Sequence, residues 1–190
     1  MRPRVRMTDG APMEEVILVD RSDREIGRSE KMTAHIKGWL HRAFSVFVFD
    51  DRGFLLLQRR AESKYHTPGL WTNTCCSHPR PGEQVLYAGR RRLREEMGFS
   101  CDLSRAFSFL YHARFPNGLV EHELDHVLVG HWNGTPSPDP GEVRDWRWVA
   151  SDVLTPLLLT DRQLFTPWFV LAYTELVARD AAPPPFLART

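Results

Sequence analysis

Acidic side chains alternate with other residues in the segment 121–126, EHELDH. On an extended backbone, Glu121, Glu123 and Asp125 point to one face of the strand. The Cα atoms of the two glutamates then lie about 6.8 Å apart, so their carboxylates can converge on one metal ion or serve one substrate as acid and base. The alternative is a solvated strand face, where acidic residues are common.

Three histidines lie outside the apolar runs of the chain, at His35, His41 and His78. Each histidine alone is more often structural or exposed. Together with the two glutamates, they make a set of five nitrogen and oxygen ligands. Such a set suits five- or six-coordinate zinc, manganese or magnesium better than a closed tetrahedral structural zinc. The residue types therefore predict a divalent metal site.

Two adjacent cysteines, Cys75 and Cys76, shortly precede His78. A neighbouring imidazole or metal can lower the pKa of a thiol and make it a base or a nucleophile. Buried, inert thiols are the commoner alternative. Because neighbouring residues of a strand face opposite sides, at most one of the two thiols is expected to be catalytic.

The composition predicts one globular domain, since 42% of the 190 residues are hydrophobic and 26% are charged. Lysine and arginine total 25 against 24 acidic residues, so no overall field would hold nucleic acid or an anionic membrane. Three cysteines are too few for a disulfide framework and indicate a reducing compartment, the cytoplasm. The longest strongly apolar run, 43–49, is far below the ~18 residues of a membrane span.

The elements that would position these residues form an α+β pattern. Apolar runs bounded by turn residues predict strands at 16–19, 43–49, 54–57, 71–76, 107–115, 119–129 and 143–149. Helical spacing and capping residues predict helices at 84–97, from 151 onward, and at 166–179. Ser151 and Thr166 are the expected caps, while 21–27 is expected to be a turn that leads into a polar stretch. A mixed β-sheet flanked by helices follows from this order.

The segment 77–99 resembles a degenerate Nudix box, in which Glu83 and the run RRLREEMGF at 91–99 are separated by seven residues. The Nudix family binds a divalent metal and a diphosphate on a loop, a helix and a second loop. The usual leading glycine of the box is Ser77 here, and the usual glutamate after the first arginine is Arg92. Loss of an acidic metal ligand at position 92 should impair Nudix-type hydrolysis, which relies on metal-activated water.

Three further motifs, read together with this box, resemble the type 1 isopentenyl-diphosphate isomerases, which are Nudix-fold relatives. They are TNTCCSHP at 72–79, EHE at 121–123 and TPWF at 166–169. The resemblance runs from about residue 16 to residue 178. It implies an α/β/α sandwich with a Nudix-like mixed sheet. It also implies isomerisation of isopentenyl diphosphate to dimethylallyl diphosphate in isoprenoid biosynthesis, by protonation at C4 and deprotonation at C2.

The same resemblance implies two metal ions. One divalent metal, manganese, zinc or magnesium, would be bound by His35, His41, His78, Glu121 and Glu123. The other ion, a magnesium brought in with the diphosphate, would be held by Glu96 and the main-chain carbonyl of Cys76.

The resemblance also implies the residues that act on the substrate. Cys76 and Glu123 become the catalytic pair, with Tyr111 near the acid. The diphosphate would be bound by Lys31, Arg60, Lys64 and Arg92. Trp168 would lie over the hydrocarbon and stabilise a cation there.

We expect a loose N-terminal tail at 1–15, which lacks the apolar core of a signal peptide, an isomerase domain at 16–180 and a proline-rich tail at 181–190. The expected partner is a small molecule, isopentenyl diphosphate, with no nucleic acid and no membrane. The chain is expected to be a monomer or a weak homodimer.

Three other functions fit parts of the pattern. The first is a Nudix-type hydrolase that would hold magnesium on Glu83, Glu95 and Glu96. Arg92, which replaces an acidic metal ligand of the Nudix box, argues against this function. A non-catalytic domain stabilised by metal would need the histidines and glutamates but would have no use for Cys76. The basic run 90–92 could bind RNA, although such runs usually form a solvated helix face.

Overall fold

The computed structural model describes residues 14–179. Residues 1–13 and 180–190 lie outside the described part, and with them most of the tail expected at 1–15 and all of the proline-rich end expected at 181–190. None of the helices within residues 14–179 has the length and apolar character that crossing a bilayer requires.

The strands of the described residues belong to one mixed sheet. In chain order they are β1 (Glu15–Val19), β2 (Glu25–Glu30), β3 (His41–Phe49), β4 (Leu55–Arg60), β5 (Trp71–Thr72), β6 (Cys75–Ser77), β7 (Leu103–Arg114), β8 (Val120–His131) and β9 (Val143–Val149). The α-helices are α1 (Lys31–Lys37), α2 (Val85–Met97), α3 (Ser151–Thr160) and α4 (Pro167–Ala178). A 3₁₀ turn, Arg162–Leu164, separates α3 from α4.

Strand β3 is the centre of the sheet. It pairs antiparallel with β1, β4 and β6 and parallel with β8. Its sequence, HRAFSVFVF, is rich in aromatic and β-branched residues, and all but one of its residues are buried. A strand covered on both faces is expected to be almost continuously apolar in this way. The parallel register sets His41 opposite Glu123.

Two apolar layers cover the two faces of the sheet. Phe44, Val46 and Val48 point into a cluster that includes Ala88 and Leu93 of α2. Phe47 and Phe49 of β3 point into a second cluster with residues of α3 and α4. Strand alternation thus divides one strand between two cores. The α+β architecture with helices on both faces is the predicted one.

Gly89 explains how closely α2 lies on the sheet. A Cβ atom at this position would come within 2.8 Å of Leu128 and 2.9 Å of Leu103. Those distances are too short for real side-chain contacts, so a larger residue here would require the two leucine side chains or the helix to shift.

The segment between β1 and β3 differs from the prediction of a turn and a polar stretch. It contains β2, an edge strand whose residues are mostly exposed, and α1, a single short helix. The carboxylate of Glu30 caps α1 by accepting hydrogen bonds from the backbone N–H groups of Met32 and Thr33, at 2.7 and 2.6 Å. Neither element has the apolar periodicity on which the prediction relied.

The strand predicted at 71–76 is divided into β5, which pairs with β4, and β6, which pairs with β3. Side chains of the two residues between them bond to both partners. Thr74 donates to the carbonyl of Leu56 at 2.7 Å, and Asn73 donates to that of Val46 at 3.2 Å. This switch of partners brings the residues of β6 next to β3.

The two predicted helix caps are not capping side chains. Helix α3 begins at Ser151 itself, with Ala150 as its N-cap. Thr166 is the N-cap residue of α4, but its hydroxyl bonds to that of Thr72 at 2.8 Å. The position of α4 was therefore predicted correctly, whereas the hydroxyl bond links the helix to β5.

Candidate active site

A cavity of about 480 Å³, including its open mouth, lies beside the central strand β3. The predicted site residues that line it are Lys31, Arg60, Lys64, Cys76, His78, Glu121, Glu123 and Trp168. These residues come from α1, β4, the loop after β4, β6, β8 and α4. Residues spread over more than a hundred positions of sequence therefore meet in one place.

Three histidines surround one carboxylate oxygen at the inner end of the cavity. Glu123 Oε1 lies 3.0 Å from His78 Nε2, 3.5 Å from His41 Nε2 and 4.0 Å from His35 Nε2. All four side chains are buried. Ligands about 2.1 Å from one ion and at right angles to each other lie about 3 Å apart, so this spacing fits a bound divalent metal.

Backbone carbonyls orient two of these histidines towards that point. His35 Nδ1 lies 2.7 Å from the carbonyl of Lys31, and His41 Nδ1 lies 2.8 Å from that of Trp39. Because a carbonyl only accepts, each Nδ1 carries the proton and each Nε2 presents a lone pair. His35 Nε2 is buried and has no hydrogen-bond partner among residues 14–179. The donor set therefore fits a metal, with backbone bonds fixing the ligand tautomers.

The ionisation of these groups also suits a metal. Burial lowers the pKa of His35 to about 4 and that of His78 to about 3, so both rings are neutral at pH 7. Burial alone would raise the pKa of Glu123, but the neighbouring His41 and His78 side chains outweigh it and hold the pKa well below its usual value. Neutral imidazoles around a carboxylate are the protonation states in which these groups bind metals.

Glu121, the fifth predicted ligand, lies beside this group. Its Oε1 is 2.8 Å from Nε2 of His66, and its Oε2 has no hydrogen-bond partner in the described part of the chain. Ligand atoms of Glu121, His66 and His35 lie within 4.8 Å of one another. Burial, followed by the charge of Glu123, raises the pKa of Glu121 well above its usual value.

His66 was not predicted from the sequence. It lies in the loop between β4 and β5, two residues after Lys64, in a segment with no strand or helix periodicity. Its partner, Glu121, is 55 positions away along the chain, so no local pattern joins the two residues. In the sequence, the only feature that could have indicated His66 was its position two residues after Lys64, a predicted diphosphate ligand.

The two cysteines face opposite sides of the sheet, as strand alternation predicts. Cys75 is fully buried in the cluster beneath α2, whereas Cys76 lines the cavity. Burial raises the pKa of the Cys76 thiol to about 12, although Arg60 and Lys64 act in the opposite direction. With protein groups alone around it, the thiol keeps its proton at neutral pH, unlike the lowered pKa that the sequence suggested.

Tyr111 lies directly opposite Glu123 in the antiparallel pair of β7 and β8. Its side chain is buried, and burial followed by the charges of Glu121 and Glu123 raises the pKa of its phenol. Paired residues of adjacent strands point to the same face. The phenol is therefore a neutral neighbour of the glutamate pair.

Three cationic side chains lie along the cavity. Lys31 Nζ is 2.9 Å from Glu14 and Lys64 forms an ion pair with Glu142. The Arg60 guanidinium lies 5.3 Å from the centre of the Trp168 ring, within cation–π range. This group of lysine and arginine side chains can hold a polyanion at the cavity.

Arg92 and Glu96 do not line the cavity. Arg92 pairs with Glu96 at 2.6 Å and with Glu142 at 3.1 Å, so it is linked to Lys64 through Glu142. Both carboxylate oxygens of Glu96 already have partners, because Gln58 donates to the second one at 3.0 Å. These two predicted ligands are thus connected to the cavity only through the contacts of Arg92 with Glu142 and of Glu142 with Lys64.

The remaining Nudix-box carboxylates are also paired with arginines. Glu83 accepts two hydrogen bonds from Arg91, each 2.8 Å long. Glu95 lies 3.2 Å from Arg91 and 2.6 Å from Arg92. Within residues 14–179, the side-chain groups that could hold a metal include neither glutamate.

Comparison with known proteins identifies relatives of this chain. Residues 39–169 match the model of the NUDIX domain. An isopentenyl-diphosphate Delta-isomerase of Burkholderia multivorans is 54% identical over 156 residues, which are 82% of this chain and 89% of the relative. An isopentenyl-diphosphate Delta-isomerase 2 of Aromatoleum aromaticum is 49% identical over 165 residues, 87% of each chain.

Solved structures share the fold at low identity. DR0079 from Deinococcus radiodurans superposes with a TM-score of 0.65 at 20% identity, over 78% of this chain and 90% of that one. A MutT NUDIX hydrolase from Burkholderia pseudomallei has a TM-score of 0.58 at 21% identity, over 72% and 98%. At these identities the similarity shows the fold alone, whereas the relatives that are about 50% identical to this chain show its family. The chain belongs to the isopentenyl-diphosphate Delta-isomerase family of NUDIX-domain proteins.

Proposed function

We propose that this chain isomerises isopentenyl diphosphate to dimethylallyl diphosphate. The observation that carries the proposal is that Cys76 and Glu123 line one cavity together with three cationic side chains, and that Glu123 belongs to a buried group with three histidines. The names of the relatives support the same substrate. The cations would hold the diphosphate, and the two catalytic groups would face its hydrocarbon part.

The reaction moves a double bond by two proton transfers. The electrons of the alkene form a new C–H bond at C4, and the electrons of a C2–H bond form the new double bond. We assign the C4 proton to Glu123, with Tyr111 beside it, and the C2 proton to Cys76. Cys76 must lose its own proton before it accepts another, and the charges of Arg60 and Lys64 favour that loss.

A divalent metal would be held by the side chains of His35, His41, His78, Glu121 and Glu123, and when bound it would supply positive charge beside the catalytic carboxylate. The three histidines and Glu123 form one group, and Glu121 lies beside it. Manganese, zinc and magnesium all accept nitrogen and oxygen ligands. The backbone bonds to His35 and His41 keep two of the rings oriented for that role.

The second ion, a magnesium entering with the diphosphate, would need an oxygen of Glu96. That oxygen becomes available if Glu96 exchanges its bond with Arg92 for the metal. Arg92 would then lose one of its three carboxylate partners, while Glu95 and Glu142 remain, and could turn that donor to the diphosphate. One rearrangement would thus supply both of the predicted ligands that lie outside the cavity.

Trp168 would stabilise positive charge on the hydrocarbon between the two proton transfers. The Arg60 guanidinium already lies against this ring, which supports its use as a cation-binding surface. Such a contact contributes about 0.5 to 2 kcal/mol. The diphosphate, at ~6 Å and an effective dielectric of ~20, would add roughly 3 kcal/mol per unit charge.

The arginines of α2 support a small-molecule partner over nucleic acid. Arg90 lies 2.9 Å from Asp102, and the next two arginines pair with glutamates. A phosphate backbone would have to compete with these carboxylates for each guanidinium.

The test is an assay of the purified protein with isopentenyl diphosphate and Mn²⁺ or Mg²⁺, in which dimethylallyl diphosphate and free phosphate are measured together. We expect the isomer without phosphate release. Phosphate release without the isomer would identify a hydrolase and contradict the proposal.

A further inference from the structure

The side chain of His66 is a buried ring that lines the cavity and packs against two other aromatic rings. It stacks on Phe115 with a centroid distance of 5.2 Å and an interplanar angle of 15°, and its edge meets Trp168 at 5.7 Å. Arg60 donates a hydrogen bond to its backbone carbonyl at 3.2 Å. Aromatic packing and this bond fix the direction in which Nε2 points, which is towards Glu121.

The partners of the ring determine its tautomer. Arg60 Nη2 lies 3.3 Å from Nδ1 of His66. The hydroxyl of Thr67, which can donate or accept, also lies 3.3 Å from Nδ1. A guanidinium can only donate, so with Arg60 as its partner Nδ1 accepts and the proton of the neutral ring is on Nε2. His66 Nε2 lies 2.8 Å from Oε1 of Glu121. His66 therefore presents a donor where His35 and His41 present lone pairs.

We propose that His66 is a positioning residue for Glu121: it holds Oε1 of the carboxylate, so that Oε2 is directed to the metal, and Arg60 fixes the tautomer that does so. The inference rests on the proposed metal site and deepens it. Side chains that bond to metal ligands in this way commonly alter affinity for the metal by 10- to 100-fold.

The geometry of Glu121 agrees with this role. Its Oε2 is buried with no hydrogen-bond partner within residues 14–179, while ligand atoms of Glu121 and His35 lie within 4.8 Å of each other. One oxygen is thus held by protein and the other is left for the ion. Without His66, the carboxylate could rotate or turn towards its neighbour Tyr111.

The first experiment measures Mn²⁺ binding to the metal-free full-length protein by calorimetry. The variants are His66→Phe, which keeps the stacking but has no donor, and His66→Gln, whose amide nitrogen can reach the position of Nε2. His112→Phe, at an exposed position of β7, is the control for loss of a histidine ring. We expect about 10- to 100-fold weaker binding for His66→Phe, and values within about threefold of wild type for His66→Gln and His112→Phe.

Two results would overturn the role of His66. One is wild-type Mn²⁺ affinity in His66→Phe, and the other is an equal loss in His66→Phe and His66→Gln, which would make His66 a direct ligand or a packing residue. If His66→Phe does not fold, His66→Asn replaces it, because the shorter amide cannot reach Glu121. Wild-type protein that binds no Mn²⁺ would contradict the proposed metal site as well, so the two failures are distinguishable.

The second experiment needs no metal. The ¹⁵N chemical shifts of the histidine rings distinguish the two neutral tautomers in the metal-free protein. We expect the Nε2-protonated form for His66 and the Nδ1-protonated form for His35 and His41. An Nδ1-protonated His66 would remove the donor and overturn the proposal.

Discussion

Cys76 and Glu123 reach the same cavity from two different strands that flank β3. Cys76 lies opposite Ser45 in the antiparallel pair with β6, and Glu123 lies opposite His41 in the parallel pair with β8. A substrate in the cavity would therefore meet one group from each side. This arrangement suits a reaction that adds a proton at one carbon and removes another two carbons away.

The two cysteines should differ sharply when each is replaced. Cys76→Ala should lower kcat by about 10²- to 10⁴-fold, the usual loss for a proton-transfer group. Cys75→Ala should keep most of the activity and lose stability, because Cys75 packs beneath α2 away from the cavity. Steady-state rates and thermal unfolding of both variants check this. Equal loss of kcat in two folded variants would contradict the assignment of Cys76.

Removal of the metal should abolish turnover. A strong chelator is expected to reduce the rate to background, and Mn²⁺, Zn²⁺ or Mg²⁺ should restore it, because the converging ligands are nitrogen and oxygen atoms. Elemental analysis of the bound metal, measured on the same samples as the rate, checks the correlation. The far-ultraviolet circular dichroism of the metal-free sample serves as the control for folding. Full activity in protein that contains no metal would refute this expectation.

Asp125 should make stability depend on pH. Burial, followed by the charge of Glu123, raises its pKa to about 8, although Ser45 donates a hydrogen bond to it at 2.7 Å. The unfolded carboxyl titrates near pH ~4. Between these two values the folded state holds a proton that the unfolded state has lost, so stability falls as pH rises through the window.

Asp125→Asn removes this titration and keeps a side chain of the same shape. With chelator present, wild type should lose up to about 1.4 kcal/mol per pH unit relative to the variant between pH 5 and 8. Urea unfolding of both proteins across that range measures the difference. A difference that stays constant with pH would show that Asp125 is not protonated in the folded chain.

Heavy water should label the product. Protonation of the alkene by an exchangeable group should introduce deuterium into the methyl group formed from C4, and reversible turnover should exchange deuterium into C2 over time. Proton and deuterium NMR of the recovered diphosphates, with phosphate measured in parallel, checks this. A hydrolase would leave every carbon-bound hydrogen unchanged, so unlabelled carbon with stoichiometric phosphate would reverse the conclusion.

Sequence patterns predicted the parts of the fold with strong periodicity. Helix α2 is one example, because its buried residues recur at helical spacing. Strand β8 was predicted from the alternation in its sequence, although nearly all of its residues are buried in the structure. Strand β2 and helix α1 were missed, since one is a polar edge strand and the other has seven residues. Short elements of this kind are stabilised by tertiary contacts and caps, which leave little trace in hydrophobicity.

For the candidate site, the sequence predicted the residues that lie in local motifs. The residues of the histidine and glutamate motifs meet as expected, but the state of each side chain depends on distant partners. Arg92 bonds to Glu96 and to Glu142, and His66 meets Glu121 only through tertiary folding. Spacing along the chain contains no information about these contacts.

The parallel pairing of His41 with Glu123 has a consequence for how the protein folds. A slip of β8 by one position would turn Glu121 and Glu123 to the other face and bring His122 and Leu124 to the histidines. Such a misaligned chain could retain most of its strands and yet have no carboxylates for an ion. The amount of Mn²⁺ bound during refolding therefore measures the fraction of molecules in which β8 has the correct register. Circular dichroism alone would not distinguish these molecules from misaligned ones.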